Sequence, residues 1–240
     1  MRVAHVVVAV PARDEEELLG PCLDSVVAAV ARLRSVRPDV GATVVVALDR
    51  CVDGSARAAD RPGVESVAVD LGAVGPARRA AVEVGLDRAL AAGATTAGTW
   101  LAGTDADCVV PEGWLLRQLA LADDGADLVV GTVVPDDLVD PRVLRAWRAR
   151  HALHEGHRHV HGANLGVRAD AYLAVGGFPP LPVHEDVALV EAVRATGRRW
   201  VATDRARVRT SARTTSRVDG GFASYLAALA DPDPTRVAVP

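Results

Sequence analysis

The chain has 240 residues, half of them hydrophobic, and 31 acidic side chains against 27 basic ones leave a formal net charge of −4. That length suits one globular domain, able to bury roughly 70–75% of its unfolded surface without a disulfide or metal staple, and charges spread without long blocks argue against nucleic acid as a main partner. Every fixed cation is an arginine and none is a lysine, which excludes a Walker-type phosphate loop, a Schiff-base enzyme and a Ser-x-x-Lys acylase.

The elements follow in chain order. "HVVVAV" (5–10) is a continuous β-branched run, as expected of a strand buried on both faces. Leu19, Cys22, Leu23, Val26, Val27 and Val30 then recur at helical spacing, predicting an amphipathic helix from about Glu15 to Leu33. "TVVVAL" (43–48) and "VESVAVD" (64–70) read as a second and a third strand. The run 76–93 reads as a helix, with Pro76 near its first turn, a stripe of Val82, Leu86 and Leu90, and Gly93 as its stop. "TWLAGTDAD" makes a fourth strand that ends in two aspartates, Asp105 and Asp107.

This alternation implies a mostly parallel sheet with helices on both faces. Ligands of such sheets sit beyond the carboxyl ends of the strands. Four loops converge there, 11–15, 49–55, 72–79 and 104–108, each rich in Asp, Glu, Arg or Gly. The second half is less regular. We expect a strand at 126–134, a helix at 140–154, and loop, short strand, helix and glycine turn across 159–178. A helix with an acidic first turn follows at 185–197, then short strands near 200–203 and 208–210 and a last helix near 222–229. The tail, 231–240, is expected to be a flexible end.

Cys22, Cys51 and Cys108 are isolated and odd in number, which fits a reducing cytoplasm and no disulfide framework. The apolar N-terminal run is about seven residues long and leads straight into "RDEEE", so it reads as a strand and not as a signal sequence. No stretch approaches the roughly 20 apolar residues of a membrane span; peripheral membrane contact and the oligomeric state stay open.

Asp105 and Asp107 allow three readings. They hold a hard cation, Mg²⁺ or Mn²⁺, which takes one or two protein carboxylates together with substrate phosphates; they form an acidic turn with no chemical role; or Asp105 is a nucleophile. "DADCV" fits the Asp-x-Asp-x-Thr/Val pattern of haloacid-dehalogenase-type phosphatases, but there the motif ends the first strand and a lysine or arginine assists. Here about 100 residues of α/β pattern precede it and lysine is absent.

Taken as a set and in order over residues 4–200, several segments resemble family 2 glycosyltransferases. "VVVAVPARDEEELLGPCLDSV" is similar to that family's opening, with Asp14 where an Asn is usual. "ALDRCVDGSARAA" is similar to its second-strand segment, "GAVGPARRAAVEVGL" to its Gly-x-x-x-Ala-Arg-Asn stretch with Arg79 in place of the Asn, and "TDAD" to its metal-binding Asp-x-Asp. "HGANLGVRADAYLAVGGF" and "HEDVALVEAV" are similar to its Gly-Ala-Asn acceptor loop and Glu-Asp helix.

The resemblance implies a GT-A fold over 1–230, with a nucleotide-sugar-binding half (1–110) and an acceptor-binding half (111–230). It implies that Pro11, Ala12, Arg13 and Glu15 line the donor pocket, Glu15 on ribose or base, and that Asp49 accepts a hydrogen bond from the base. Asp53 is assigned to the Asp-Gly-Ser turn. Gly75 lets the backbone approach the donor, and Arg78 or Arg79 contacts nucleotide or phosphate, with spacing unable to choose between the two. Asp107 and Asp105 hold the divalent cation. Asp186, beside Glu185, is the general base, and Gly162, Ala163, Asn164 and His184 belong to the acceptor side. A solvated turn, or a helix start complemented by acids, is the plain alternative for the carboxylates.

Five histidines, His151, His154, His157, His159 and His161, read as a polar acceptor-side loop more than as a zinc site. Arg213 and Arg217 read equally as a lid over the diphosphate or as a solvated connector. The expected activity is inverting transfer of a sugar from a nucleoside diphosphate to a hydroxyl acceptor. The alternatives are a sugar-nucleotide-forming nucleotidyltransferase, whose Gly-rich loop with Pro-Lys is missing, and a catalytically silent binder of sugar nucleotides.

Overall fold

A computed structural model describes residues 1–136, 140–151, 153–213 and 222–230. Arg217 and the tail 231–240 lie outside them. The first half comprises β1 (His5–Ala12), α1 (Leu19–Val36), β2 (Gly41–Asp49), α2 (Ser55–Ala59), β3 (Val64–Val69), α3 (Val74–Ala91) and β4 (Thr99–Gly103). The second comprises β5 (Cys108–Val109), α4 (Trp114–Asp123), β6 (Leu128–Asp136), α5 (Pro141–Arg150), β7 (Leu165–Arg168), α6 (Ala169–Ala174), α7 (Glu185–Ala195), β8 (Trp200–Ser211) and α8 (Phe222–Ala230).

The strands join in one mixed sheet in the order β3-β2-β1-β4-β7-β6-β8-β5. β1 pairs in parallel with β2 and β4, and β2 in parallel with β3. β7 is antiparallel to both β4 and β6 and so joins the two halves of the sheet. Residues of β1 are buried alternately on opposite faces: Val6, Val8 and Val10 pack with Leu19, Leu23 and Val26 of α1, while Val7 and Ala9 pack with Ala81 and Val82 of α3 and with Leu189 of α7. This period of two explains why an uninterrupted valine run is needed at the sheet centre. β3, at the sheet edge, is only partly buried.

Several expected boundaries move for identifiable reasons. The first helix begins at Leu19 and not at Glu15. Pro21 has no N–H to donate, so it must sit within the first turn, which sets the start. On α3 the expected stripe is only partly right: Val82 and Leu86 are buried, but Leu90 is exposed, and small Ala77, Ala81 and Ala89 complete the packed face. The helix expected over 140–154 spans Pro141–Arg150, capped by Asp140, whose carboxylate accepts the Arg142 N–H. The two short strands expected near 200 and 208 are one strand, β8, paired in parallel with β6 across a register shift between Gly131 and Val133. α4 went unrecognised in the sequence; it is anchored by buried Trp114 and by Gln118, which accepts the Trp100 indole N–H at 2.8 Å. Among the described residues, no helix is long and apolar enough to cross a membrane.

Candidate active site

The carboxyl ends of β1, β2 and β4 open onto one cleft of about 300 Å³, in the size range of small-molecule sites. Its first wall is a pair of interlocked turns. After β1 the chain turns at Asp14, whose backbone is left-handed (φ 50°) and whose carboxylate accepts the Val52 N–H at 2.8 Å. Asp is among the few side chains that tolerate this conformation, which explains its place where Asn is usual. The Glu15 N–H donates to Ser55 Oγ at 2.7 Å and the Glu16 N–H to Asp53 at 3.0 Å. Asp53 also accepts the Ser55 N–H at 2.9 Å, so it shapes the Asp-Gly-Ser turn. Besides Asp14, the non-glycine residues with left-handed backbone among those described are Arg50 and His184. All three flank this cleft, where strained backbone is often retained for function.

Asp49 ends β2, buried, and its Oδ1 accepts the N–H groups of Leu71 and Gly72 at 2.7 and 3.0 Å. It therefore fixes the loop between β3 and α3 while lining the cleft. Past β4 the Cys108 N–H donates back to the Asp105 carbonyl at 3.1 Å, and this turn brings Asp105 and Asp107 to the cleft together. Asp107 meets Arg213 Nη2 at 3.1 Å, and Arg213 grips both oxygens of Glu15, with Nη1 at 2.7 Å from Oε2. Burial, reinforced by neighbouring Asp105 and opposed by Arg213, pushes the Asp107 carboxyl up to about 6.

Arg78 of α3 is almost wholly buried and bridges two carboxylates. Its Nη2 donates to Asp105 at 2.6 Å and its Nη1 donates to Glu185 at the start of α7. Its guanidinium also lies 5.3 Å from the centre of the Phe178 ring. Burial raises the Glu185 carboxyl, and Arg78 opposes that shift. Arg79, one position on, points outward to Glu83 at 2.8 Å and to the Gly176 carbonyl at 3.1 Å, so of the two arginines Arg78 is the one that reaches the cleft, with both terminal nitrogens already paired to carboxylates. Gly75 does not line the cleft. A Cβ there would meet Glu185 Cγ at 2.8 Å and the Pro179 carbonyl at 3.1 Å, so this glycine admits α7 and does not serve donor approach as expected.

Asp186 faces the cleft with both oxygens oriented by backbone: the Gly162 N–H donates at 2.6 Å and its neighbour Val187 N–H at 2.8 Å. Gly162 also admits Arg78, because a Cβ would lie 2.7 Å from its Nη1. Gly162, Ala163 and His184 line the cleft, but Asn164 does not. The Asn164 amide is spent inside the fold: its Oδ1 accepts the Trp114 indole N–H at 2.9 Å, and its Nδ2 donates to the Thr132 and Ala206 carbonyls, both at 2.8 Å. The acceptor role expected for Asn164 is thereby corrected to a structural one.

The histidines do not assemble a zinc site among the described residues. They stack instead: His151 on Trp147 (centroids 4.6 Å apart), His159 on His151 (4.8 Å) and His161 on His159 (6.1 Å), and only His161 of these reaches the cleft.

The structure thus gathers Pro11, Ala12, Arg13, Glu15, Asp49, Arg78, Asp105, Asp107, Glu185, Asp186 and Arg213 around one space. Its residues fit a divalent cation. Carboxylate oxygens of Asp105 and Asp107 lie with Cys108 Sγ within 4.8 Å of one another, and hard cations prefer such oxygens. Burial drives the Cys108 thiol well above its ordinary value, and it stands 3.5 Å from Asp107 Oδ1 as a donor and not as a ligand. The sequence reading did not single out Thr210, whose Oγ1 lies 3.4 Å from Asp107, a partner 103 residues away in the chain.

The sequence pattern of the family described as glycosyl transferase family 2 matches residues 7–172. No curated protein sequence matches the chain. Among solved structures the chain is similar to S. aureus TarS 1-349, at 15% identity and a TM-score of 0.58, over 89% of this chain and 61% of that one. It is also similar to the mannosyltransferase PcManGT from Pyrobaculum calidifontis in complex with GDP-Man and Mn²⁺, at 19% identity and a TM-score of 0.56, over 90% of this chain and 59% of that one. A third is M. tuberculosis glucosyl-3-phosphoglycerate synthase, at 19% identity and a TM-score of 0.56, over 95% of this chain and 79% of that one. The chain thus spans about three fifths of the first two structures, and at these identities the likeness speaks to fold alone. With the family pattern covering more than half of the chain, the protein belongs to glycosyl transferase family 2 and has the GT-A fold.

Proposed function

We propose that the protein transfers a sugar from a nucleoside-diphosphate donor to a hydroxyl acceptor in a single displacement that inverts the anomeric carbon. The observation that carries this reading is the convergence of Asp49, Asp107 and Asp186 on one cleft beyond the carboxyl ends of parallel strands. The nucleotide lies against Pro11, Ala12, Arg13 and Glu15, and Asp49 Oδ2 accepts from the base while Oδ1 holds the loop that closes over it. Asp105 and Asp107 would hold Mn²⁺ or Mg²⁺, which when bound would offset charge gathering on the diphosphate by several kcal/mol. Support comes from the mannosyltransferase bound to GDP-Man and Mn²⁺ and from GalNAc-T7 bound to UDP, GalNAc and Mn²⁺.

Asp186 takes the proton of the acceptor hydroxyl, whose oxygen forms the new bond to the anomeric carbon. The bond from that carbon to the diphosphate oxygen breaks, and the leaving group keeps the electron pair. The two backbone N–H groups on Asp186 fix its direction, and a base so placed contributes about 10²–10⁴-fold in rate. Glu185, occupied by Arg78, is a positioning residue. Arg213 moves from Glu15 and Asp107 to the diphosphate when donor arrives. Three free cysteines among the described residues suit a reducing cytoplasm.

A thermal-shift screen of UDP, GDP, dTDP and CDP, each with and without Mn²⁺, tests the reading. One diphosphate should raise the melting temperature in a Mn²⁺-dependent way; no response to any of the four would overturn it.

A further inference from the structure

The cleft is divided chemically. Six carboxylates, Glu15, Asp49, Asp105, Asp107, Glu185 and Asp186, line it against the three arginines Arg13, Arg78 and Arg213. Arg78 is committed to Asp105 and Glu185, and Arg213 to Glu15 and Asp107. Apart from Glu185, Asp186 and Arg213, the lining supplied by the second half of the chain includes Val133, Val160, Pro182, Val183, Phe222 and Ala223. The hydroxyls of Thr210 and Ser211 stand at the Asp107 side, where Thr210 meets that carboxylate at 3.4 Å.

Two histidines complete this wall. His184 lies exposed at the rim. His161 is pushed down to about 3 by burial and by the neighbouring rings of His159, His151 and His157, so it presents a neutral ring at working pH. That ring is backed by the stack through His159 and His151 to Trp147. Tyr225 meets His151 edge-on, with centroids 5.5 Å apart. Behind the wall, Val143, Trp147, Tyr225, Leu226 and Leu229 form an apolar cluster of their own, with Phe222 packed against it. The wall is therefore largely apolar and, through Phe222, continuous with a packed cluster.

We propose that the hydroxyl acceptor is a neutral molecule with an apolar body, an alkyl or aryl alcohol or a glycoside of one, and not an acid or a sugar phosphate. This rests on the sugar-transfer reading and names its second substrate. Beside Asp186 an anionic acceptor would face that carboxylate and Glu185, where the neighbouring Arg78 is already paired with Glu185 and Asp105, and like charges repel across low-dielectric walls. An apolar body, in contrast, gains by removing the surfaces of Val160, Val183 and Phe222 from water.

The test uses the full chain, Mn²⁺ and the nucleotide sugar of the diphosphate that the thermal-shift screen selects, with release of that diphosphate as readout. Octyl and 4-nitrophenyl glucosides should react with a kcat/KM at least about tenfold above that of methyl glucoside, and glycerol 3-phosphate and 3-phosphoglycerate should be slower than any of them. Val160→Asp should erase the preference for the octyl chain while donor affinity stays unchanged, and Val160→Leu should retain it. Equal rates for octyl and methyl glucosides, a faster reaction with either phosphorylated acceptor, or no reaction with the apolar acceptors while donor binding is intact would each overturn the inference and leave sugar transfer standing. Absence of Mn²⁺-dependent donor binding would remove both.

Discussion

Arg213 stands 3.1 Å from the Asp107 carboxylate while its other contacts hold Glu15, 198 residues away in sequence. A guanidinium here offsets the same negative charge that a divalent cation would. Arg213→Ala should therefore tighten Mn²⁺ binding in the absence of donor by roughly two- to fivefold, the scale of a partly exposed ion pair. The same change should weaken binding of the nucleoside diphosphate, because the arginine can no longer move to it. Calorimetry of each ligand alone separates the two effects.

Asp107 makes cation binding pH-dependent. Its carboxyl lies at about 6, above the ordinary 3.8. A raised acid favours the protonated form in the folded state, so this group's contribution to stability is present at low pH and is lost as pH rises through about 6. Cation binding selects the ionised form and runs the other way. Apparent Mn²⁺ affinity should fall about tenfold per pH unit below about 6 and level off above it, as read by Mn²⁺ titrations between pH 5 and pH 8.

Asp186→Asn should keep donor binding and lower turnover at least about a hundredfold, because the amide cannot accept the acceptor proton. Turnover close to that of the parent protein would place the base elsewhere.

Arg78 and Asn164 are assigned to the scaffold by their contacts, and stability measurements distinguish them from the residues of the reaction. Arg78→Met strands Glu185 and Asp105 and should cost about 3–5 kcal/mol, a fall in melting temperature on the order of 10 °C for a chain of this size. Asn164→Ala leaves the Trp114 N–H without a partner and should cost about 2–4 kcal/mol, with donor affinity and acceptor KM unchanged. A raised acceptor KM at unaltered stability would restore Asn164 to the acceptor site.

The central strands and the cleft carboxylates were legible because each rests on a local signal. A valine run such as 5–10 has to be buried on both faces, and Asp49, Asp105 and Asp107 follow such runs where parallel sheets bind ligands. What could not be read depends on partners distant in sequence. Arg78 and Arg79 are adjacent on one helix, and only the approach of Glu185, 107 residues on, decides which one turns inward. Asn164 has the same residue type whether it faces a ligand or Trp114. β8 reads as two pieces because Asp204, Arg205 and Arg207 interrupt its apolar pattern, yet its backbone continues beside β6 past the register shift.

A cation held by Asp107 against the diphosphate of the donor is the centre of the proposed mechanism. Calorimetric titration of the responding nucleoside diphosphate into the parent protein and into Asp107→Ala, with and without Mn²⁺, measures this directly. We predict Mn²⁺-dependent binding in the parent that is lost in the variant at unchanged melting temperature. Equal affinity of the two proteins in the presence of Mn²⁺ would contradict the account.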